Sequence, residues 1–178
     1  MNKYLRYTII ALLGTWLLYS DFIHDYVFIN LNSQIYYLRN IEDGMAVKNY
    51  TDSWMQAHLF EKSIADIRFL KWVYSGLFTV YFWALASSLL LLIYRNKKSI
   101  IFSSIFFGGL FLIACLIFGL NYLPWGFGWQ SGCYSISIHI FHFIESSLPA
   151  LMLIASFKAY LILSPQKPIS SSPETTDS

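Results

Sequence analysis

Apolar residues run with no Asp, Glu, Lys or Arg through Trp72 to Tyr94 and Ser99 to Leu123 of this 178-residue chain, and with a few ionisable interruptions through Leu5 to Phe28 and Ile136 to Leu163. About 20 mostly apolar residues suffice to cross the hydrocarbon of a bilayer. The pattern therefore predicts an all-α, polytopic membrane protein with four transmembrane helices, in a single domain over residues 1–164. The first stretch follows Lys3 and Arg6 as a secretion signal would, but "SDFIHDYVFIN" follows in place of a small-residue cleavage site. It reads as an uncleaved anchor whose helix continues through Asp21 and Asp25.

Between the first and second spans lies an outer segment, residues 30–71. In "TDSWMQAHLFEKSIADIRFLKW", Ser53 and Gln56 have capping-box spacing, and Ala57, Phe60, Ile64, Ile67 and Leu70 recur at helical steps. This predicts an amphipathic helix outside the membrane, running into the second span. The other outer loop interleaves Tyr122, Trp125, Phe127, Trp129 and Tyr134 with glycines, the pattern of an interfacial aromatic anchor. The tail over residues 165–178, rich in Ser, Thr and Pro, is expected to be disordered.

Composition agrees with the patterning: 56% of residues are hydrophobic and 12% charged, too much apolar surface for a soluble domain of this size to hide. The net charge of +2 says little by itself, but its distribution orients the chain. With four spans, Lys3, Arg6, Arg95, Lys97, Lys98, Lys158 and Lys167 all fall on one side, which the positive-inside rule makes the cytoplasm, with both termini there. The two cysteines, Cys115 and Cys133, form no C-x-x-C pair, which argues against a membrane disulfide oxidoreductase. No Gly-rich phosphate loop and no basic nucleic-acid surface is present.

Two ionisable groups interrupt the apolar runs. "DFIHD" places Asp21, His24 and Asp25 on one face of the first span, and "HIFHFIESSLP" places His139, His142 and Glu145 at steps of three in the fourth. At 1.5 Å of rise per residue, Asp21 lies about 6 Å deeper than Asp25, and Glu145 about 9 Å deeper than His139. With opposite helix directions the groups share a level in the outer half of the membrane. The expected pairing brings Asp25 or His24 towards His139 and Asp21 towards Glu145. Imidazole nitrogens and carboxylates suit zinc or iron, with His139, His142 and Glu145 as the candidate ligands. Yet the spacing matches no standard metal signature, so the expectation is a polar seam between helices with no cofactor. Pro149 is expected to kink the fourth span near Glu145, and Gly108 and Gly109 to allow close helix approach.

An anchor helix, an outer segment ending in "IRFLKW", and two spans joined by the tight basic turn "YRNKKSI" resemble small membrane proteins associated with bacterial exosortase systems. The likeness covers Leu5 to Leu123. It implies a bacterial cytoplasmic (inner) membrane location and a membrane-embedded cysteine transpeptidase as partner alongside the lipid bilayer. No functional residue is carried over from it. The resulting expectation is a non-catalytic accessory or assembly protein of an exosortase-type sorting or envelope-export system. A small membrane enzyme, or a proton-coupled carrier using the Asp/His/Glu cluster, is the alternative.

Overall fold

The structure, a computed structural model, describes residues 2–45, 54–120 and 129–163, and these form six helices with no strand among the described residues. In chain order they are α1 (Lys3–Glu42), α2 (Trp54–Leu59), α3 (Ile64–Tyr94), α4 (Lys98–Leu120), α5 (Trp129–Ile144) and α6 (Leu148–Leu163). Helices α3 and α4 are each long and apolar enough to cross a membrane. Helices α5 and α6 reach that standard only as a pair, bent by 68° between Ser135–Ile144 and Leu148–Leu163. Polar residues such as Asp21, Asp25, Asn32 and Gln34 dilute α1.

α1 does not stop near Phe28, where the apolar run ends. Its 40 residues make a rod about 60 Å long, twice the thickness of a bilayer core. It continues because the buried seam continues. Leu17, Ser20, His24, Phe28, Leu31 and Gln34 recur at three- and four-residue steps, so one face stays covered after the average polarity has risen. Beyond Phe28 that face packs on α2 and the start of α3, where Leu31, Met55, Leu59 and Ile67 form a small buried cluster.

The outer amphipathic helix is not one continuous helix. α2 is six residues long and is followed by a turn, and α3 begins afresh at Ile64. The restart is a capping box: the Ser63 hydroxyl accepts from Asp66 N at 3.2 Å, and Ser63 N donates back to Asp66 Oδ2 at 3.2 Å. The stripe from Ala57 to Leu70 is thereby divided, with Phe60 exposed in the turn and Met55 and Leu59 forming the buried face of α2. The Ser53 cap, the loop aromatics from Tyr122 to Phe127 and the tail lie outside the described residues, as do the side chains of Trp129 and Tyr134.

The larger cluster draws on α1, α3, α4, α5 and α6, with Phe82, Leu90, Phe107, Ala114, Leu153 and Phe157 at its centre. Three polar links cross it: Ser20 Oγ to Tyr81 Oη at 2.7 Å, Ser87 Oγ to Ser103 Oγ at 2.9 Å, and Tyr94 Oη donating to the Ile154 carbonyl at 2.7 Å. Many large apolar side chains face outwards instead, among them Leu12, Phe22, Leu77, Ile105 and Leu116. Faces of that kind suit contact with lipid.

Candidate functional site

The interior faces of α1 and α3 run from the smaller cluster to the larger one, and polar residues occupy the space between. On α1, His24 lies between Leu31 of the first cluster and Leu17 of the second. On α3, Ser75 lies between Ile67 and Phe82. The third contributor is the α5–α6 junction, where the chain breaks instead of merely kinking.

The break has a local cause. Glu145 N still donates to the Phe141 carbonyl at 2.9 Å, but Ser146 N donates to Phe143 at 3.3 Å, a tightened last turn, and the Ser146 hydroxyl takes the same carbonyl at 2.8 Å. α6 then starts at Leu148, its first turn closed by Leu151 N donating to the Ser147 carbonyl at 3.2 Å. Pro149 sits in that first turn, where its missing N–H and fixed φ cost little. The expected kink is therefore a full helix break at residues 145–147, with Pro149 starting the new helix.

Asp21 of α1 stabilises the break. Its carboxylate accepts from Ser147 N at 2.8 Å and from the Ser147 hydroxyl at 2.6 Å, satisfying donors at the start of α6 that an intact helix would have used. A carboxylate at a helix N-terminus also complements the helix dipole.

Glu145 projects into the protein and is buried to 1% exposure. Its Oε2 lies 3.0 Å from His24 Nε2, and its Oε1 accepts a hydrogen bond from the Ser75 hydroxyl. The other ring nitrogen of His24, Nδ1, lies 3.2 Å from Asp25 Oδ1, on a side chain 70% exposed. Phe28 and Phe78 pack on the His24 ring, with centroids at 4.5 and 5.0 Å. His142 meets it edge-on at 5.9 Å.

His24, His142 and Glu145 each offer a ligand atom within 4.8 Å of the others, and His142 is the exposed member. His142 and Glu145 border a cleft of about 550 Å³ that His24 does not line. Ser75, His142 and Glu145 supply part of its polar lining, Phe28, Trp72 and Phe141 supply apolar wall, and Arg39, Arg68 and Lys71 bring three cations. Lys71 Nζ donates to Asn32 Oδ1 at 2.7 Å.

The sequence-derived candidates thus divide. His24, His142 and Glu145 come together, Asp25 supports His24 from the outside, and Asp21 serves the helix break. His139 is exposed and stands outside the group, so the ligand trio His139, His142 and Glu145 is replaced by one in which His24 takes the place of His139. The pairing also differs from expectation: His24 meets Glu145 rather than His139, and Asp21 meets Ser147 rather than Glu145. Ser75, Ser147 and the three cations carried no warning in the sequence beyond Arg68 and Lys71 at three-residue spacing in "IRFLKW". Serines are ordinary in membrane helices. No family model, curated protein or solved structure matches this chain, so the chemistry of the site rests on its own residues.

Proposed function

We propose that this is a four-span protein of the bacterial cytoplasmic membrane, with both termini cytoplasmic, acting as a non-catalytic accessory or assembly subunit of an exosortase-type sorting or envelope-export machine. The observation that carries the non-catalytic part is the closure of the polar network. Both ring nitrogens of His24 and both carboxylate oxygens of Glu145 have partners, namely Asp25, each other and Ser75. A general base needs a free lone pair facing its substrate, and a serine nucleophile needs a base positioned to take its proton. Ser75 instead donates to a carboxylate that is already paired. Further support for a partner comes from the apolar outer faces of α1, α3 and α4, which can serve lipid and another membrane protein alike.

Four crossings require α1 and the bent α5–α6 pair each to span, which the outward-facing Leu12, Leu18 and Phe22 of α1 favour. Reporter fusions at residues 1, 97, 126 and 178 should place the first, second and fourth inside and the third outside. Crosslinking in intact membranes, followed by purification in nanodiscs, should return a membrane transpeptidase in stoichiometric amount. Recovery of the chain alone would overturn the accessory reading.

The cleft favours a second reading. Glu145 and His142 border a cavity that also carries Arg39, Arg68 and Lys71, an arrangement a small membrane enzyme or proton-coupled carrier would need for an anionic substrate. Proteoliposome uptake that depends on pH and is abolished by Glu145→Gln is the result that would establish it over the first.

A further inference from the structure

We infer that His24, His142 and Glu145 form a binding site for one divalent transition-metal ion, zinc by donor chemistry, beside the cleft that His142 and Glu145 line. The inference goes beyond the accessory reading, which depends on a partner and is tested by a different experiment. Two imidazoles and a carboxylate are the protein ligands of a three-ligand zinc site that keeps a fourth position open. Here the open side faces the cleft, which His142 and Glu145 both border. Water or an anionic oxygen donor can enter there, with Arg39, Arg68 and Lys71 in the same lining to attract the anion.

The surroundings of the trio carry the inference further than its composition does. A metal-binding histidine ordinarily gives its second ring N–H to a carboxylate, and a metal-binding carboxylate is itself hydrogen-bonded. His24 has Asp25 Oδ1 at 3.2 Å from Nδ1, which leaves Nε2 as the nitrogen aimed inwards. Glu145 has the Ser75 hydroxyl on Oε1, which leaves Oε2. The two inward-aimed atoms are the pair 3.0 Å apart. In a tetrahedral zinc site neighbouring ligand atoms lie about 3.4 Å apart, so His24 and Glu145 are already at ligand spacing. The exposed His142 ring closes the remaining gap by side-chain rotation, within the 4.8 Å that encloses the trio.

Ligation needs a deprotonated carboxylate and a neutral imidazole, so an ion seated between His24 Nε2 and Glu145 Oε2 replaces the direct 3.0 Å contact between them. Ser75 keeps its hydrogen bond to Glu145 and Asp21 its two from Ser147, so α1, α3 and the α5–α6 break remain linked with or without metal.

The test uses the full chain, tag-free in nanodiscs, stripped with chelator and reloaded with zinc or cobalt(II). Elemental analysis should find one ion per chain, and cobalt should give the intense visible absorption of a tetrahedral site. His142→Ala removes an exposed ligand without touching the His24–Glu145 contact, so it should stay folded by circular dichroism and lose affinity by about 100-fold or more. Asp25→Asn should weaken binding by about 10-fold, the lower end for an outer-shell partner. His139→Ala should leave affinity and spectrum unchanged. Less than a tenth of an ion per chain in the wild type, or His142→Ala binding as the wild type does, would overturn the inference, as would loss of binding in His139→Ala.

Discussion

Helix α4 and the α5–α6 pair are both apolar enough to be read as membrane crossings, yet they solve the burial of polar groups in opposite ways. α4 is unbroken, and one of its buried polar groups is neutral and locally matched: Ser103 pairs with Ser87 across the α3–α4 contact. The α5–α6 pair opens at residues 145–147, and the opening draws in an ionisable group from each of two turns of α1. The difference teaches where directional bonding is needed. α4 packs along α3 and α5, so its apolar surface can hold it in place, whereas α1 reaches the α5–α6 junction through Asp21 and His24. An apolar helix slides easily against lipid-like neighbours; a buried pair with defined partners fixes register.

The largest blow to this contrast is Glu145→Ala. It leaves the buried His24 and the half-buried Ser75 without their shared partner and should lower stability by about 3 kcal/mol in reversible unfolding from mixed micelles. His24→Phe combined with Glu145→Leu removes both members and should lose less than Glu145→Ala alone. A double variant worse than the single one would mean that the pair contributes stability of its own rather than register.

Asp21→Ala comes next. Loss of the two Ser147 contacts should cost about 1.5 kcal/mol, the scale of a lost helix cap, and should raise amide exchange at residues 147–151 while leaving α4 unchanged. On the α4 side, Ser87→Ala should cost about 0.6 kcal/mol, typical of a neutral hydrogen bond between membrane helices. If it proves as damaging as Asp21→Ala, the contrast between the two regions fails. The smallest effect concerns the turn joining α3 to α4. Arg95 caps α3 in the left-handed region at φ 55°, so Arg95→Gly should raise stability by about 0.5 kcal/mol.

Much of the helical architecture can be read from the chain because membrane helices advertise themselves in apolar runs. Where the reading and the structure part, a packing contact has overridden a local signal. α1 outlasts its apolar run because Leu31 and Ile35 keep a covered seam against α2 and α3. The outer helix starts anew at Ile64 because Ser63 and Asp66 form a capping box within the stretch read as continuous. At the site, the shared depth of the two polar groups followed from helical rise alone, but the partners did not. A straight fourth helix would carry Glu145 and His139 on different faces of one rod. The break changes the direction of the chain at the residue in question.

By itself, then, the order of residues determined that this chain is helical, that α3 and α4 are apolar enough for a membrane, and that a few ionisable groups must find partners inside. Those are consequences of the hydrophobic effect and of backbone hydrogen bonding, which act on every residue locally. Only the tertiary structure decided that His24 meets Glu145, 121 positions away, that Ser75 completes the carboxylate's contacts, and that Asp21 caps α6. Those contacts depend on the rotation of each helix about its axis and on the bend at residues 145–147. Both are set by the packing of all the helices together, and no local pattern in the sequence records them.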